Sequence, residues 1–403
     1  MDTKGLYAQL KNELDNILGY WIENTIDHEF GGFVGKRNIR NVKVAGASKG
    51  AVLNTRILWT FSAAYNFSHK PEYLEMADRA YSYLVSRFWD EKNGGLFWEL
   101  NEDGSLLNGR KQTYAQGFGI YGFSEYYRAT GKQEALDYAV DLHHLLERYC
   151  YDPMHGGYIE ALSRDWNQLE DMRLSPKDAN EPKSMNTHLH ILEPYTRLSS
   201  VFKEKELEEK LEGLIRIFLD KIIDPGTDHQ NLFFGMDWSV RSAIVSYGHD
   251  IESSWLLIEA ARELGDPVLI DEVEKRAIRI VDAVMTEGCD SDGSLFNERN
   301  IKTGHLDTDK HWWPQAEAMV GLVYAAAVSG DKKYFKWMNR IWEFIQDKMI
   351  DKINGEWFWR VDKTGNPVIS EDKVGFWKCP YHNSRAMMEV CEMQGRLHNS
   401  ITN

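Results

Sequence analysis

The chain is poor in cysteine, and its four cysteines, Cys150, Cys289, Cys379 and Cys391, form no CxxC pair and no other short metal spacing. That excludes a disulfide scaffold, a zinc ribbon and a dithiol centre, and free thiols in a cytoplasmic protein are expected. No apolar run approaches the roughly 20 residues that a membrane span needs. The opening segment, MDTKGLYAQLKNELDNILGYW, has no apolar stretch of the kind that directs secretion. Basic residues are outnumbered, with 47 Lys and Arg against 62 Asp and Glu. The formal charge is −15, which argues against nucleic acid or an anionic membrane as partner. There is no HExxH and no GxxxxGK[ST] loop, and Gln116-Gly117-Phe118-Gly119 falls inside a helical stretch. His188 and His190, two apart on a helix, diverge and make a poor chelate. Neither a metal nor a cofactor is expected.

What the chain does have is aromatics and a period. There are 14 Trp, 19 Tyr and 17 Phe. Six polar turns carry glycine or asparagine beside aromatics, at Gly32, Gly95, Gly157, Asn231, Gly293 and Gly355, separated by 63, 62, 74, 62 and 62 residues. Such a period fits a helix pair plus a short hairpin. Length alone suggests two or three domains, but the unbroken period argues for one domain over residues 1–403. The segments 71–88, 133–149, 205–222, 267–285 and 332–349 are amphipathic and read as outer helices, half in contact with solvent. The segments 51–66, 114–129, 186–201, 249–264, 315–329 and 381–395 are apolar on nearly all sides and read as inner helices. A helix over about 4–24 would complete the outer ring. The expected fold is all-α, an (α/α)6 barrel with short β-hairpins at one end. The longer third-to-fourth interval and the polar stretch 163–185 point to an extra loop over one face.

The starts of the inner helices gather unusual residues: Arg56, Tyr114, Asn186 and His190, His249 with Glu252, Trp312, Trp313 and Glu317, and Trp377 with His382. A single buried histidine usually satisfies a local hydrogen bond. Three at related positions in a repeat point instead to proton transfer, because an imidazole titrates near pH 6.5. Glu252 lies three residues after His249 on the same helix face and is expected to fix that ring's tautomer and hold its pKa near neutrality. Two imidazoles from opposite sides of a ring-shaped cleft could work on opposite faces of one carbon. Trp312 and Trp313, at a loop–helix junction before Pro314, suit stacking against sugar rings better than a core plug.

These residues give the chain a close resemblance to the N-acylglucosamine 2-epimerase superfamily and, within it, to the cellobiose 2-epimerases. The carriers are Asn54-Thr55-Arg56-Ile57-Leu58-Trp59, Asn186-Thr187-His188-Leu189-His190, Ser246-Tyr247-Gly248-His249-Asp250-Ile251-Glu252, Trp312-Trp313-Pro314-Gln315-Ala316-Glu317 and Trp377 with Tyr381-His382-Asn383. The resemblance implies an (α/α)6 barrel and a cofactor-free inversion at C2 of the reducing-end sugar of a β-1,4-linked disaccharide, cellobiose to glucosyl-mannose, through a cis-enediol(ate). It implies His249 and His382 as the two bases, His190 and Arg56 stabilising charge on O1 and O2, and Glu252 orienting His249. Trp377 would stack on the reducing-end ring and Trp313 on the other. Tyr114, Asp178, Asn186 and Glu317 would hold hydroxyls or assist ring opening. The alternatives are the same chemistry on a monosaccharide (an N-acylglucosamine 2-epimerase or an aldose–ketose isomerase) and an (α/α)6 glycoside hydrolase using Asp250, Glu252 and Glu317. A monomer or weak homodimer with a disaccharide as its small-molecule partner is expected.

Overall fold

The computed structural model describes residues 3–402, with side chains from 5 to 393. Six inner helices run in chain order: α2 (Ala51–Ser68), α4 (Thr113–Thr130), α6 (Met185–Val201), α8 (Tyr247–Leu264), α10 (Trp312–Ser329) and α12 (Tyr381–Thr402). Each packs on the next, and α12 packs on α2, so the ring is closed. Six outer helices cover it: α1 (Thr3–Thr25), α3 (Pro71–Tyr83), α5 (Gln133–Tyr149), α7 (Lys205–Ile217), α9 (Pro267–Glu287) and α11 (Lys333–Phe344). Helices α3, α7 and α11 each end in a wider π-turn of five residues. The result is the (α/α)6 barrel. The apolar face expected of segment 71–88 is the buried one: Tyr73, Met76, Ala77, Ala80, Tyr83, Leu84 and Phe88 all lie in the core. None of the described helices is long and apolar enough to cross a membrane.

Each unit of the repeat is an outer helix, a glycine turn and an inner helix, and the strands do more than close hairpins. A single bridge closes each turn: Ile26 with Phe33, Trp89 with Leu96, Tyr151 with Tyr158, Ile223 with Gln230, Cys289 with Leu295, and Ile350 with Trp357. The true strands pair between units. The strand entering an inner helix pairs antiparallel with the strand after the next unit's turn, as Lys49–Gly50 does with Glu99–Leu100. The sixth such pair, Asp372–Val374 with Arg37–Asn38, joins the last unit to the first. The expected self-contained hairpins are therefore stitches between neighbours.

Two contacts recur from unit to unit, the first in five units and the second in four. A buried lysine at the strand reaches the turn's aspartate: Lys49 to Asp27, Lys111 to Asp90, Lys183 to Asp152, Lys310 to Asp290 and Lys373 to Asp351, at 2.7–3.2 Å. A polar residue in the first turn of the inner helix also latches the glycine turn. Leu96 N–H donates to Gln116, Tyr158 N–H to His188, Gln230 N–H to Asp250 and Leu295 N–H to Gln315, at 2.7–2.9 Å. Glycine beside the bridge makes room for this latch: a Cβ on Gly157, at φ +80°, would sit 2.5 Å from His188 Nε2. His188 is thereby a structural residue.

Candidate active site

A cavity of about 420 Å³ opens at the end of the ring where the inner helices begin. Of the residues expected at the site, Arg56, Tyr114, Asp178, Asn186, His190, His249, Glu252, Trp312, Trp313, Trp377 and His382 line it. Glu317 lies beneath the lining, fully buried, with Oε1 2.6 Å from His382 Nδ1. Sequence reasoning passed over Trp359, His311 and the loop residues Leu174, Ser175, Pro176 and Lys177, which also line the cavity. The loop is the extra segment expected over 163–185, and it brings Asp178 to the mouth.

The latch residues give the register that spacing alone missed. Gln116, His188, Asp250 and Gln315 have equivalents in Asn54 and Asn383: five of the six stand five residues beyond the entering strand's lysine position, and Asn383 stands five beyond Lys378, past a longer connection from the strand's Lys373. Two residues further on, the six helices present Arg56, Phe118, His190, Glu252, Glu317 and Arg385 as one layer across the ring. Arg56 lies 4.3 Å above the Phe118 ring, and Phe118 lies 4.9 Å from the His190 ring. Arg385 Nη2 is 2.8 Å from Glu252 Oε1 and 2.7 Å from Glu317 Oε1. Its Nη1 donates to Glu193, which also accepts from the Tyr381 hydroxyl. His249 and His382 sit one residue before their latches, a level nearer the mouth. Tyr114, Asn186 and Trp313 sit one level above that. Pro194 lacks the N–H that His190 C=O would accept, and the helix is non-helical at His190 (φ −91°, ψ 20°), which helps turn its ring inward.

Three expectations are corrected. Glu252 does not pair with His249. The buried guanidinium of Arg385 draws its carboxylate inward, leaving it 3.8 Å from His382 Nδ1, and His249 Nδ1 instead meets the Ser246 hydroxyl at 2.8 Å. Nor do His249 and His382 face each other across the ring: one helix, α10, separates them. The Trp313 ring lies between them, its centroid 4.6 Å from His249 and 5.7 Å from His382. This placement needs Gly248, whose Cβ would be 2.5 Å from the Trp313 ring. Trp313 therefore flanks the two histidines, while Trp377 stands on the far wall, 5.7 Å from Tyr114 and 6.0 Å from Trp98.

Burial sets the ionisation. It pulls His249 down to about 3 and His190 to about 4, and it holds His382 well below the ordinary imidazole range, so all three rings are neutral at pH 7. Burial and the nearby Glu317 carboxylate push Glu252 well above the carboxylate range, and burial raises Glu317. Arg56, fully buried, donates to the Tyr114 hydroxyl at 2.7 Å and presents a fixed positive charge to the cavity. Glu252, Glu317 and His382 bring ligand atoms within 4.8 Å of one another, a set that a divalent ion could join, but Arg385 already holds both carboxylates with its own charge. Asp250 turns away to the His229 and Gln230 side of its helix, so Asp250 and the Arg385-bound glutamates do not form a carboxylate pair across a bound sugar.

A model of the family described as N-acylglucosamine 2-epimerase (GlcNAc 2-epimerase) matches residues 31–386. The cellobiose 2-epimerase of Bacteroides fragilis is 50% identical over 386 residues, covering 96% of this chain and 98% of its own. That of Dictyoglomus turgidum is 39% identical over 392 residues, covering 97% and 99%. The solved cellobiose 2-epimerase of Bacillus thermoamylovorans B4167 superposes with a TM-score of 0.92 at 36% identity, over 96% of this chain and 99% of that one.

Proposed function

This chain belongs to the N-acylglucosamine 2-epimerase family, and on that premise we propose that it inverts C2 of the reducing-end glucose of cellobiose, using His249 and His382 as its two proton-transfer groups. The observation that carries the reading is the pair of neutral imidazoles on α8 and α12, His382 buried and His249 half-buried, with one tryptophan ring between them. A neutral ring is a competent base, and a carbon held beside both can lose a proton to one and gain it from the other.

The sugar ring first opens to the aldehyde, which acidifies the C2 proton. For one epimer His249 accepts that proton and becomes the imidazolium. The electron pair moves onto O1, giving a cis-enediolate whose charge Arg56 and the His190 ring stabilise. His382 then protonates the other face of C2. The proton count closes through the carboxylates behind it. As His382 gives up its ring proton, Nδ1 takes one from Glu317, whose Oε1 lies 2.6 Å away and whose carboxyl, like that of Glu252, burial raises above the usual carboxylate range. Between turnovers His249 returns its proton to solvent and the carboxyl pair regains one; the other epimer runs the same steps backwards from the form in which His249 carries the proton. Trp313 covers the reacting carbon, and the outer cavity wall with Trp377 and the Asp178 loop leaves room for the second sugar ring.

Incubation with cellobiose in D2O, followed by NMR, tests the reading. Mannose-type reducing-end signals and deuterium at C2 are expected, with no free glucose. Release of glucose, or conversion without deuterium at C2, would overturn it.

A further inference from the structure

The repeat has a rule, and two units break it. The residue just before each turn's bridge is Gly32, Gly95 and Gly157 in the first three units and the small Ser294 in the fifth. In the fourth it is His229 and in the sixth Glu356, both buried. These are the units that carry His249 and His382.

In both, the ionisable side chain takes part in the latch. His229 Nδ1 lies 2.7 Å from Asp250 Oδ2, and Asp250 follows His249 directly. Gln230, next to His229, donates from its backbone to Asp250 Oδ1 and from its side chain to the carbonyl of His249 at 3.1 Å. The fourth unit also lacks the buried lysine. Val245 stands in its place, and Asp224 is hydrogen-bonded by Gly226 and Thr227 of its own turn. In the sixth unit Glu356 Oε1 accepts from Asn383 Nδ2 at 2.7 Å, and Asn383 follows His382 directly. The same oxygen accepts from Lys378 Nζ at 2.6 Å and from Trp357 N–H at 2.8 Å, while Oε2 accepts from Trp21 Nε1 at 2.7 Å. The four other units fasten the same turn without a charged side chain at this place.

We propose that His229 and Glu356 are positioning residues, one for each proton-transfer histidine: His229 holds His249 through Asp250 and Gln230, and Glu356 holds His382 through Asn383. Neither side chain lines the cavity. Each fixes the first turn of an inner helix at the residue beside the imidazole, where a small backbone shift moves the ring nitrogen relative to C2. Charged partners suit that task, since a charge-assisted hydrogen bond is shorter and stiffer than a neutral one. Asp250 raises the His229 pKa through its hydrogen bond and charge, against the opposing effect of burial, so the pair gains from ionisation. Groups that orient a catalytic side chain in this way typically matter at the level of misplacement by an ångström or less.

The inference rests on the two-histidine reading, and its test separates the two. His229→Ala and Glu356→Ala are compared with wild type in D2O, starting from cellobiose and, separately, from glucosyl-mannose. The quantity read is deuterium washed into recovered starting sugar per product formed. Displacing His249 slows its half of the transfer. Starting from the epimer that His382 deprotonates, the enediolate then returns more often and wash-in rises; starting from the other epimer it falls. Displacing His382 does the opposite. The expected result is a loss in kcat of roughly tenfold with KM nearly unchanged, and a wash-in ratio that moves in opposite senses in the two variants. Wild-type kcat in either variant, or ratios that stay put or move together, would overturn the inference. Adding Val245→Lys to His229→Ala restores the lysine staple; recovery of kcat along with Tm would also overturn it, because the role would then be one of stability. If either alanine variant does not fold, His229→Gln and Glu356→Gln are read by the same criteria. His249→Ala and His382→Ala run alongside. Activity in either of those sinks the two-histidine reading itself, whereas inactive histidine variants with unmoved ratios sink only the positioning roles.

Discussion

The two sides of the cavity hold their imidazoles in different ways. His382 is 5% exposed, and its Nδ1 rests on Glu317, which shares Arg385 with Glu252 and Glu193. Behind it lie carboxyls that burial raises above the usual carboxylate range. His249 is only half-buried, and its Nδ1 meets a neutral serine hydroxyl. The difference shows how one cavity can run acid and base chemistry at a single pH: the groups behind each ring, rather than the rings themselves, decide which carries a proton at the start. On the proposed mechanism His382 exchanges protons with buried carboxyls, and His249, nearer the mouth, exchanges with water.

The largest expected effect breaks both sides at once. His249→Ala and His382→Ala should each lower kcat for cellobiose by about 10²–10⁴-fold with the far-UV circular dichroism unchanged; activity within a few-fold of wild type in either would remove the comparison altogether. Next in size, Glu317→Gln should cost roughly 10²-fold, because the isosteric amide cannot hand a proton to Nδ1. Ser246→Ala removes one neutral hydrogen bond, worth about 0.5–1.5 kcal/mol net, and should cost about tenfold or less. Finding Ser246→Ala the more damaging of the two would invert the assignment of the proton donor. Third, Trp313→Ala should lower kcat/KM for cellobiose and for a free hexose by the same factor within about threefold, since its ring flanks both histidines. A loss confined to cellobiose would move Trp313 to the second-sugar wall.

The smallest effect is on stability. His143, His188 and His190 are held at about 4 and His249 at about 3, chiefly by burial. An unfolded chain takes up protons on these groups near pH 6.5, and the folded chain does not. Stability from this source is therefore complete above about pH 7 and declines as pH falls from 6.5 toward 4. Tm measured from pH 8 to pH 5 should be flat and then fall, while initial rates below the transition should show no break at 6.5. A rate that titrates near 6.5 would mean that a ring stands in water.

The helical ring was legible because it depends on periodicity. Apolar stretches such as 315–329, with one charge, can only be inner helices, and the expected inner-helix boundaries agree with the observed ones to within a few residues, except that the last helix, expected to end at 395, runs to Thr402. The membership of the cavity was legible as well, through the polar residues at the helix starts. The pairing inside it was not. Residues three apart on a helix share a face in general, but whether Glu252 turns to His249 or to Arg385 depends on a charge more than 130 positions away. Arg385 itself left a signal: an arginine two residues past Asn383, in a buried helix, demands carboxylates opposite, and Glu193, Glu252 and Glu317 occupy three other inner helices. Nor could spacing show that His229 occupies a glycine's place. The fourth turn has the glycine pattern displaced, and counting glycines put Asn231 there instead.

The stitch between Arg37–Asn38 and Asp372–Val374, together with α1 against α12, builds the sixth unit's joint to the first on the same plan as the other joints, except that no peptide bond crosses it. In effect the polypeptide is a hoop with a single nick. A circularly permuted chain, with its ends joined by a flexible linker and cut instead at the left-handed turn after α2, at His69, would pass through the same six units in rotated order. Its cavity would be unchanged, because the hoop has no first unit.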